Sequence, residues 1–373
     1  MKKLAIDEAY LLAFLKRLLR TPSPSGMTDV IVAIVCAELE SLNIPFELTR
    51  RGAIRATLKG KSSTPSRALV GHVDTLGATV KDIRPNGRLE VVPIGHWSAR
   101  FAEGARVTIF SDTLQFRGTI LPLKASGHTY NEEVDTQPSA WTNLEIRIDS
   151  KTDSAAATRA LGIHVGDTVS VDAQSEFTNT GFIASRHLDD KAGVAAMFAA
   201  ARAVQQAELT LPIDCHLLFT LSEEIGVGAS AVLHGDVSEL VAVDNGTIAP
   251  GQNTSTYGVT IAMQDSSGPF DWHLTRSLLK LAQDHKVEHS RDVFRFYRSD
   301  GAAAVEAGND IRAALVCFGL DASHGWERTH KDSLTALARL LALYIQSDPL
   351  FRRDQEALGP IGDLPPAEIE PRT

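Results

Sequence analysis

The chain has 373 residues, which is long for one compact core, so we expect two domains. Its 43% hydrophobic and 22% charged residues are typical of a globular protein. The formal net charge of −9 argues against nucleic-acid binding, because nucleic-acid-binding domains normally present a basic surface. No uncharged apolar run reaches about 18 residues. Because charges also interrupt the apolar N-terminal stretch, we expect no membrane span, no secretion signal and a cytoplasmic location.

The first part of the chain alternates predicted helices and strands. Apolar residues at helical spacing predict a helix over residues 7–20 that begins at the cap Asp7. The segment TPSPSG at 21–26 ends this helix, because proline and glycine cannot continue it. A second helix is expected over 27–42, and strands are expected at 45–59 and 67–74.

The pattern changes between residues 79 and 180. Short alternating segments such as RVTIF and DTVSVDA are separated there by Gly, Asn and Asp, which is typical of an all-β region. After residue 181 the alternation of helices and strands returns. The patterns predict helices near 190–206, 227–234 and 269–285, and strands near 213–221, 239–244 and 311–319.

We therefore predict an α/β fold with a mostly parallel sheet, flanked by helices and interrupted by an inserted β-barrel domain. Residues 1–78 and 181–350 would form one discontinuous α/β domain, and residues 79–180 would form the inserted all-β domain. Residues 351–373 lose periodicity and gain proline, which predicts a disordered tail.

Residues with metal-binding chemistry recur along the chain, most of them where predicted strands end. They are His72 in GHVDTLG, Asp189 in HLDDKAG, Glu223 and Glu224 in TLSEEIG, Asp244 in VAVDNG, and His330 in ERTHKD. Each motif alone has a structural explanation, since paired acids often form solvated turns and an Asp after a strand can cap a helix. Together, in this order, they favour a hydrolase that uses two divalent ions about 3.5–4 Å apart to activate water.

The spacing of these residues suggests individual roles. Asp189 is the candidate for a carboxylate shared by two ions. Asp74 lies two residues after His72, so on a strand both side chains share one face, and Asp74 can accept the second imidazole N–H. Adjacent glutamates point in different directions. Glu224 would therefore bind an ion, and Glu223 would act as the general base.

The ordered motifs resemble those of the TET-type (tetrahedral) aminopeptidases, a family of dinuclear metallopeptidases, over about residues 7–345. The long interval between His72 and Asp189 supports this resemblance. Related carboxypeptidases and aminoacylases share the GHxDT start but carry only a short segment at this position. The motifs GHVDTLG and SHGWERTH also resemble a bacterial subgroup associated with the osmoprotectant N-acetylglutaminylglutamine amide.

The resemblance implies that His72, Asp189 and Asp244 hold one ion, and that Asp189, Glu224 and His330 hold the other. It implies zinc or cobalt, with manganese as a third option, and release of single residues from the N-termini of short peptides. It also implies a homo-oligomer, from dimer to dodecamer, joined through the inserted domain.

SHGWERTH contains a second histidine, His324, as the reserve for the last ligand. His330 is preferred because it aligns with the family's late histidine and precedes a polar residue and a helix. Asp300 in RSDGAA is a further candidate, either for contact with a peptide amine or for support of a ligand.

Two other functions remain open at this point. The same two-metal chemistry serves an amidohydrolase, deacylase or dipeptidase, which would differ in the substrate terminus that the pocket holds. A metal-stabilised scaffold without activity would be expected to lack the base or a ligand, and neither is missing from this sequence.

Overall fold

The computed structural model describes residues 1–351 and residue 354. Apart from Phe351 and Asp354, the tail expected at 351–373 lies outside the described residues. The chain begins with helices α1 and α2 and strands β1, β2 and β3, which span Glu8–Leu19, Asp29–Ser41, Phe46–Leu48, Ile54–Leu58 and Gly60–His72. Helix α1 begins at the expected cap, where the carboxylate of Asp7 accepts a hydrogen bond from the N–H of Tyr10.

The next six strands close into a barrel in the order β4-β5-β8-β7-β6-β9, with every neighbouring pair antiparallel. Strands β4 to β9 span Gly77–Ile83, Leu89–Ile94, Arg106–Phe110, Gln115–Pro122, Leu144–Ile148 and Thr168–Val171. Four short helices, α3 to α6, connect them at Ala99–Ala102, Gly127–Tyr130, Glu133–Thr136 and Ala155–Ala160. Alternate residues of these strands, such as Val107 and Ile109, are buried inside the barrel.

The rest of the chain returns to alternating strands and helices. Strands β10 to β18 span Glu176–Phe177, Phe182–Ser185, Leu211–Thr220, Val237–Thr247, Val259–Asp265, Gly268–Pro269, His289–Val293, Arg312–Leu320 and Glu327–His330. Helices α7 to α10 span Leu188–Gln206, Trp272–Asp284, Asp300–Glu306 and Lys331–Gln346.

The main sheet has nine strands and is mixed. Its path is β1-β2-β12-β3-β13-β17-β14-β15, and β16 pairs with β14. The central strands β12, β3, β13 and β17 are mutually parallel, whereas β2 and β14 run antiparallel to their central neighbours. Strand β16 pairs parallel to β14. The predicted fold class is therefore confirmed, and antiparallel pairs join the central parallel strands to the outer ones. Strands β10, β11 and β18 form a separate three-stranded antiparallel sheet.

The prediction of a helix near 227–234 is wrong. Short 3₁₀ turns occur instead, at Glu223–Ile225 and Ala229–Ala231. Gly226 between them has a φ of +83°, which interrupts a right-handed helix. At Gly228 an added Cβ would lie 2.2 Å from the Asp300 carboxylate, so the chain passes directly over that side chain. These two glycines explain why a compact turn replaces the helix.

The α/β part and the barrel each have their own hydrophobic core. In the α/β part, Phe198 of α7 packs between Phe14 and Phe219, with ring centroids 4.7 and 5.0 Å away. The barrel strands run from Gly77 to Val171, and the division into two domains at 79–180 stays a prediction. In the described part of the chain, no helix has the length and apolar composition needed to cross a membrane.

Candidate metal centre

The parallel strands at the centre of the sheet bring distant residues to one edge. His72 is the last residue of β3, Asp244 lies in β13 and Asp189 is the second residue of α7. The Nε2 atom of His72 lies 3.1 Å from Oδ1 of Asp189. Ligand atoms of all three side chains lie within 4.8 Å of one another, and all three are buried. The structure therefore brings these predicted residues together.

Asp74 holds the turn that carries the paired glutamates. Its carboxylate accepts hydrogen bonds from the N–H groups of Glu223, at 3.2 Å, and Glu224, at 3.4 Å. The hydroxyl of Ser25 also donates to this carboxylate, which ties the TPSPSG segment to the site. The Nδ1 atom of His72 lies 3.0 Å from the carbonyl oxygen of Asp74 but 3.6 Å from its carboxylate. The nearer partner of His72 is therefore the main chain.

The paired glutamates point in different directions, as expected for neighbouring residues. Glu224 is almost fully buried: its Oε1 accepts a hydrogen bond from the N–H of Leu76 at 3.1 Å, and its Oε2 lies 3.5 Å from Nε2 of His324. Glu223 is more accessible, with 15% of its side chain exposed, and its Oε2 lies 3.7 Å from Nε2 of His72. Glu223 thus faces the open pocket.

His324, and not His330, lies at this centre. The Nε2 atom of His324 is 3.3 Å from Oδ2 of Asp189, on the side opposite the His72 contact. Both ring nitrogens of His330 are already engaged: Nε2 donates to the carbonyl of Thr180 at 3.0 Å, and Nδ1 accepts from the N–H of Asp332 at 3.2 Å. The preference for His330 is corrected because that side chain caps α10.

The tautomers of the two central histidines suit metal binding. Nδ1–H of His72 donates to the carbonyl of Asp74, and Nδ1–H of His324 donates to the carbonyl of His96 at 2.7 Å. A carbonyl can only accept, so in the neutral imidazoles each Nε2 is a bare lone pair directed at a carboxylate oxygen of Asp189. Two lone pairs at such distances repel unless a proton or a cation lies between them.

Two residues that the sequence analysis did not single out orient this centre. The amide of Asn245 donates to Asp189 at 2.8 Å and to Asp244 at 3.1 Å. The carboxylate of Glu327 accepts from the N–H of Asp189 at 3.2 Å and from the N–H of His324 at 3.0 Å. The motifs VDNG and SHGWERTH contain these residues, but no spacing rule distinguishes them from their neighbours.

Asp300 supports the turn of the paired glutamates from the other side. Its carboxylate accepts the hydroxyl of Thr220 and, at 2.6 Å, the N–H of Ala229. Burial raises the pKa of Asp300 to about 6. These contacts favour support of the turn over contact with a peptide amine.

The centre concentrates buried acid groups. Burial raises the pKa of Glu224 to about 7 and raises those of Glu223 and Asp244 well above their ordinary values. Burial lowers the pKa of His324, but the hydrogen bond to Asp189 and the negative charges of Glu224 and Asp189 together outweigh this effect and raise the pKa to about 11. The site therefore combines crowded carboxylates with raised pKa values and imidazoles with raised pKa values. A bound cation stabilises such crowded carboxylates in the ionised form, and these O and N donors suit divalent metals.

A pocket of about 600 Å³ opens over these groups. Asp189, Glu223 and Asp244 line one part of it, and aromatic side chains such as Phe294 and Tyr297 line another. Phe296, at the rim, is 97% exposed. The pocket can therefore receive a molecule with an apolar portion beside the acidic centre.

Comparison with known proteins gives consistent results. Residues 52–340 match the model of peptidase family M42, described as M42 glutamyl aminopeptidase. The chain is 39% identical to "Putative aminopeptidase YhfE" of Bacillus subtilis (strain 168) over 334 residues, which cover 89% of this chain and 96% of that protein.

Two solved structures share the fold. Aminopeptidase APDkam598 of Desulfurococcus kamchatkensis superposes with a TM-score of 0.81 at 21% identity, covering 91% of this chain and 95% of that one. The TET1 peptidase of Pyrococcus horikoshii, whose structure is described as assembling into a tetrahedron or a large octahedral shell, superposes with a TM-score of 0.78 at 19% identity, covering 90% and 99%. The chain belongs to peptidase family M42, the TET-type metal-dependent aminopeptidases.

Proposed function

We propose that this metallopeptidase uses two divalent ions to remove single residues from the N-termini of short peptides. The observation that carries the proposal is the position of Asp189, whose two carboxylate oxygens face two different imidazoles. Oδ1 lies 3.1 Å from His72 and Oδ2 lies 3.3 Å from His324. A carboxylate between two such nitrogens is suited to share two cations.

His72, Asp189 and Asp244 would hold one ion, and Asp189, Glu224 and His324 would hold the other. Zinc and cobalt suit this mixture of imidazole and carboxylate donors, and manganese is a further option. When bound, such ions lower the pKa of water and polarise a carbonyl group. Asn245 and Glu327 would fix the orientation of the shared carboxylate and of its neighbours, a contribution that is large in metal sites.

Glu223 would be the general base. In peptide hydrolysis the oxygen of water bonds to the carbonyl carbon, and the bond from that carbon to nitrogen breaks. Glu223 would accept the proton that the water loses and return it to the leaving amine. Its greater exposure to the pocket, and its position next to a glutamate held by Leu76, support this division of roles.

Replacement of Glu223 by Gln tests the assignment. We expect kcat on peptide substrates to fall about 10²–10⁴-fold, because the amide cannot accept the proton. Metal content should not change. The matched control is Glu208→Gln, an exposed glutamate beyond the far end of α7. Wild-type kcat in Glu223→Gln, measured on every peptide that the protein cleaves, would refute the role.

The substrate terminus separates this proposal from a deacylase or dipeptidase. A panel should compare peptides with a free N-terminus, an N-acetyl group or a C-terminal amide. Cleavage that requires the free amine and tolerates the amidated end supports an aminopeptidase. Preference for N-acetylated substrates would favour a deacylase.

We also propose a homo-oligomer. The described assembly of the TET1 peptidase, and a barrel with its own core and exposed surface, support this proposal. Light scattering should give a mass that is a multiple of the 40.3 kDa chain. A monomer mass across a wide concentration range would contradict it.

A further inference from the structure

One arginine at the pocket, Arg295, has no partner for its charge within the protein. The residue is exposed and lines the pocket over the acidic centre. Among the described residues, no group forms an ion pair, a side-chain hydrogen bond or a cation–π contact with its guanidinium. A guanidinium is always charged at neutral pH and carries five N–H donors. Arg295 is therefore available to a charged group that enters the pocket.

The main chain on both sides of Arg295 is held in place. The N–H of Phe294 donates to the carbonyl of Gln264 at 3.0 Å, and the N–H of Ser266 donates to the carbonyl of Tyr297 at 2.9 Å. The buried ring of Phe294 also packs edge-on against the ring of Tyr297, with centroids 5.3 Å apart. The backbone of Arg295 thus has a defined position at the pocket, while its long side chain can adjust to a ligand.

A second arginine that lines the pocket is neutralised by a neighbour. Arg298 donates two hydrogen bonds to the carboxylate of Glu306, at 3.0 and 2.6 Å. This two-bond arrangement is the one that a guanidinium favours with a carboxylate. Arg295 lies three residues earlier and has the same donors, but no acceptor in the described part of the chain. The pocket therefore presents one guanidinium that is free to form such a pair with a ligand.

The pocket carries opposite charges in different parts. Buried carboxylates, including those of Asp189 and Asp244, lie at the acidic centre, and the exposed Arg295 adjoins Phe296 at the rim. The proposed metal ions would offset the charge of the acids. The charge of Arg295 would then remain without compensation until a negatively charged group entered the pocket. A carboxylate is the group in a peptide whose charge and shape match a guanidinium.

An exposed arginine can also be simply hydrated, and Arg291 is an example. It lies in β16, is exposed and has no partner for its guanidinium among the described residues. It differs from Arg295 because it does not line the pocket. A role in substrate binding therefore predicts that only Arg295 affects the choice of substrate.

We infer that Arg295 determines substrate specificity by binding a carboxylate of the peptide that takes no part in the reacting bond. This carboxylate belongs either to an acidic side chain or to the C-terminus of a short peptide. Two parallel N–H···O bonds from the guanidinium would hold it. No bond is made or broken at this carboxylate, so Arg295 acts through binding alone. The inference rests on the proposed aminopeptidase function.

The test uses three pairs of peptides whose members differ by one carboxylate: Glu-Ala-amide and Gln-Ala-amide, Ala-Glu-amide and Ala-Gln-amide, and Ala-Ala and Ala-Ala-amide. The wild-type protein should prefer the charged member of at least one pair, and that pair identifies the source of the carboxylate. In Arg295→Gln, kcat/KM for this member should fall about 5–20-fold, less than for a buried charged hydrogen bond because the guanidinium is exposed. The loss should appear mainly in KM, since the bond is equally strong before and during the reaction.

Arg291→Gln is the matched control and should behave as the wild-type protein on all six peptides. The uncharged members should be cleaved equally well by Arg295→Gln and by this control. An equal loss on charged and uncharged members, or no loss on any, would overturn the inference. It would also be overturned if the wild-type protein showed no preference within any pair. A wild-type protein that cleaved none of the six peptides would refute the proposed function, and the inference with it.

Discussion

At the scale of single residues, the hydrogen bonds of a histidine decide whether it can bind a metal. Nδ1 of His324 donates to a main-chain carbonyl, and its Nε2 is directed at the carboxylates of Asp189 and Glu224. His330 uses both nitrogens in contacts with Thr180 and Asp332. The two residues lie six positions apart in one segment, yet only His324 is directed at Asp189.

This difference predicts opposite outcomes for two alanine variants. His324→Ala should retain about one ion fewer per chain because it removes a proposed ligand. His330→Ala should keep its metal but lose about 1 kcal/mol of stability with the cap of α10. Elemental analysis after gel filtration and thermal unfolding measure the two effects. If His330→Ala lost the ion and His324→Ala retained it, the ligand assignment would be reversed.

The sequence predicted His72, Asp189, Glu224 and Asp244 as a group because strand ends and residue chemistry are both visible in it. The choice between His324 and His330 depended on a main-chain hydrogen bond, which no side-chain pattern records. A polar residue and a helix directly after a histidine are signals of an N-terminal cap. That pattern therefore indicates a capping role for His330 and not a role as a metal ligand.

At the scale of elements, Glu327 at the start of β18 joins two segments that are far apart in the chain. One carboxylate oxygen accepts from the N–H groups of Leu188 and Asp189, at 2.7 and 3.2 Å. The other accepts from the N–H of His324 at 3.0 Å. The start of α7 and the loop before β18 are thereby fixed relative to each other. These hydrogen bonds of Glu327 help to set the distance between the proposed ligands Asp189 and His324.

Glu327→Gln should therefore weaken metal binding without removing a ligand. The glutamine side chain has one acceptor oxygen and one NH₂ group. The NH₂ group must therefore face a main-chain N–H, either at the start of α7 or at His324, and two donors cannot form a hydrogen bond. We expect metal affinity to fall about 10–100-fold, as for other residues that orient ligands. Titration with cobalt against a competing chelator measures this, with Glu132→Gln on the barrel surface as control. Equal affinities in the two variants would contradict the role.

Helices and strands with strong periodicity were predictable, whereas turns were less so. Helices α1 and α7 follow from apolar spacing, and α1 begins at the expected cap. The sequence predicts a helix near 227–234, in the loop after β12. Its conformation instead depends on Asp74 and Asp300, which bind its main chain from distant parts of the sequence.

At the scale of the whole molecule, the acidic centre links metal binding to stability and pH. Burial raises the pKa of Glu224 from 4.5 to about 7, and those of Glu223 and Asp244 rise as well. Between about pH 4.5 and 7 the folded, ion-free protein therefore holds protons that the unfolded chain has already released. These groups therefore lower the stability of the ion-free protein as pH rises. Bound metal displaces the protons and removes this penalty.

We therefore expect the rise in Tm caused by metal to grow between about pH 4.5 and 7, the window set by Glu224. Thermal unfolding of chelator-treated and metal-loaded protein across this range measures the difference. Activity should disappear with chelation and return with zinc, cobalt or manganese. A Tm difference that stayed constant with pH would show that these carboxylates do not exchange protons for metal.

The two-part architecture was predictable because the spacing of apolar residues changes from helical to alternating near residue 79. The direction of the outer strands was not predictable, because β14 is as apolar as the parallel strands at the centre of the sheet, and its antiparallel pairing with β17 arises from the path of the chain. The order of the sheet likewise depends on contacts between segments that are distant in sequence.

The carbonyl that orients His324 belongs to His96, which lies between β5 and α3 of the barrel. A main-chain atom of the barrel thus helps to orient one proposed metal ligand. Because the acceptor is a main-chain atom, this contact depends on the path of the backbone and not on the side chain of His96. If the barrel were exchanged for that of a relative, we would therefore expect activity only where the segment between β5 and α3 kept the same backbone path. A good match of the other barrel strands would not be enough.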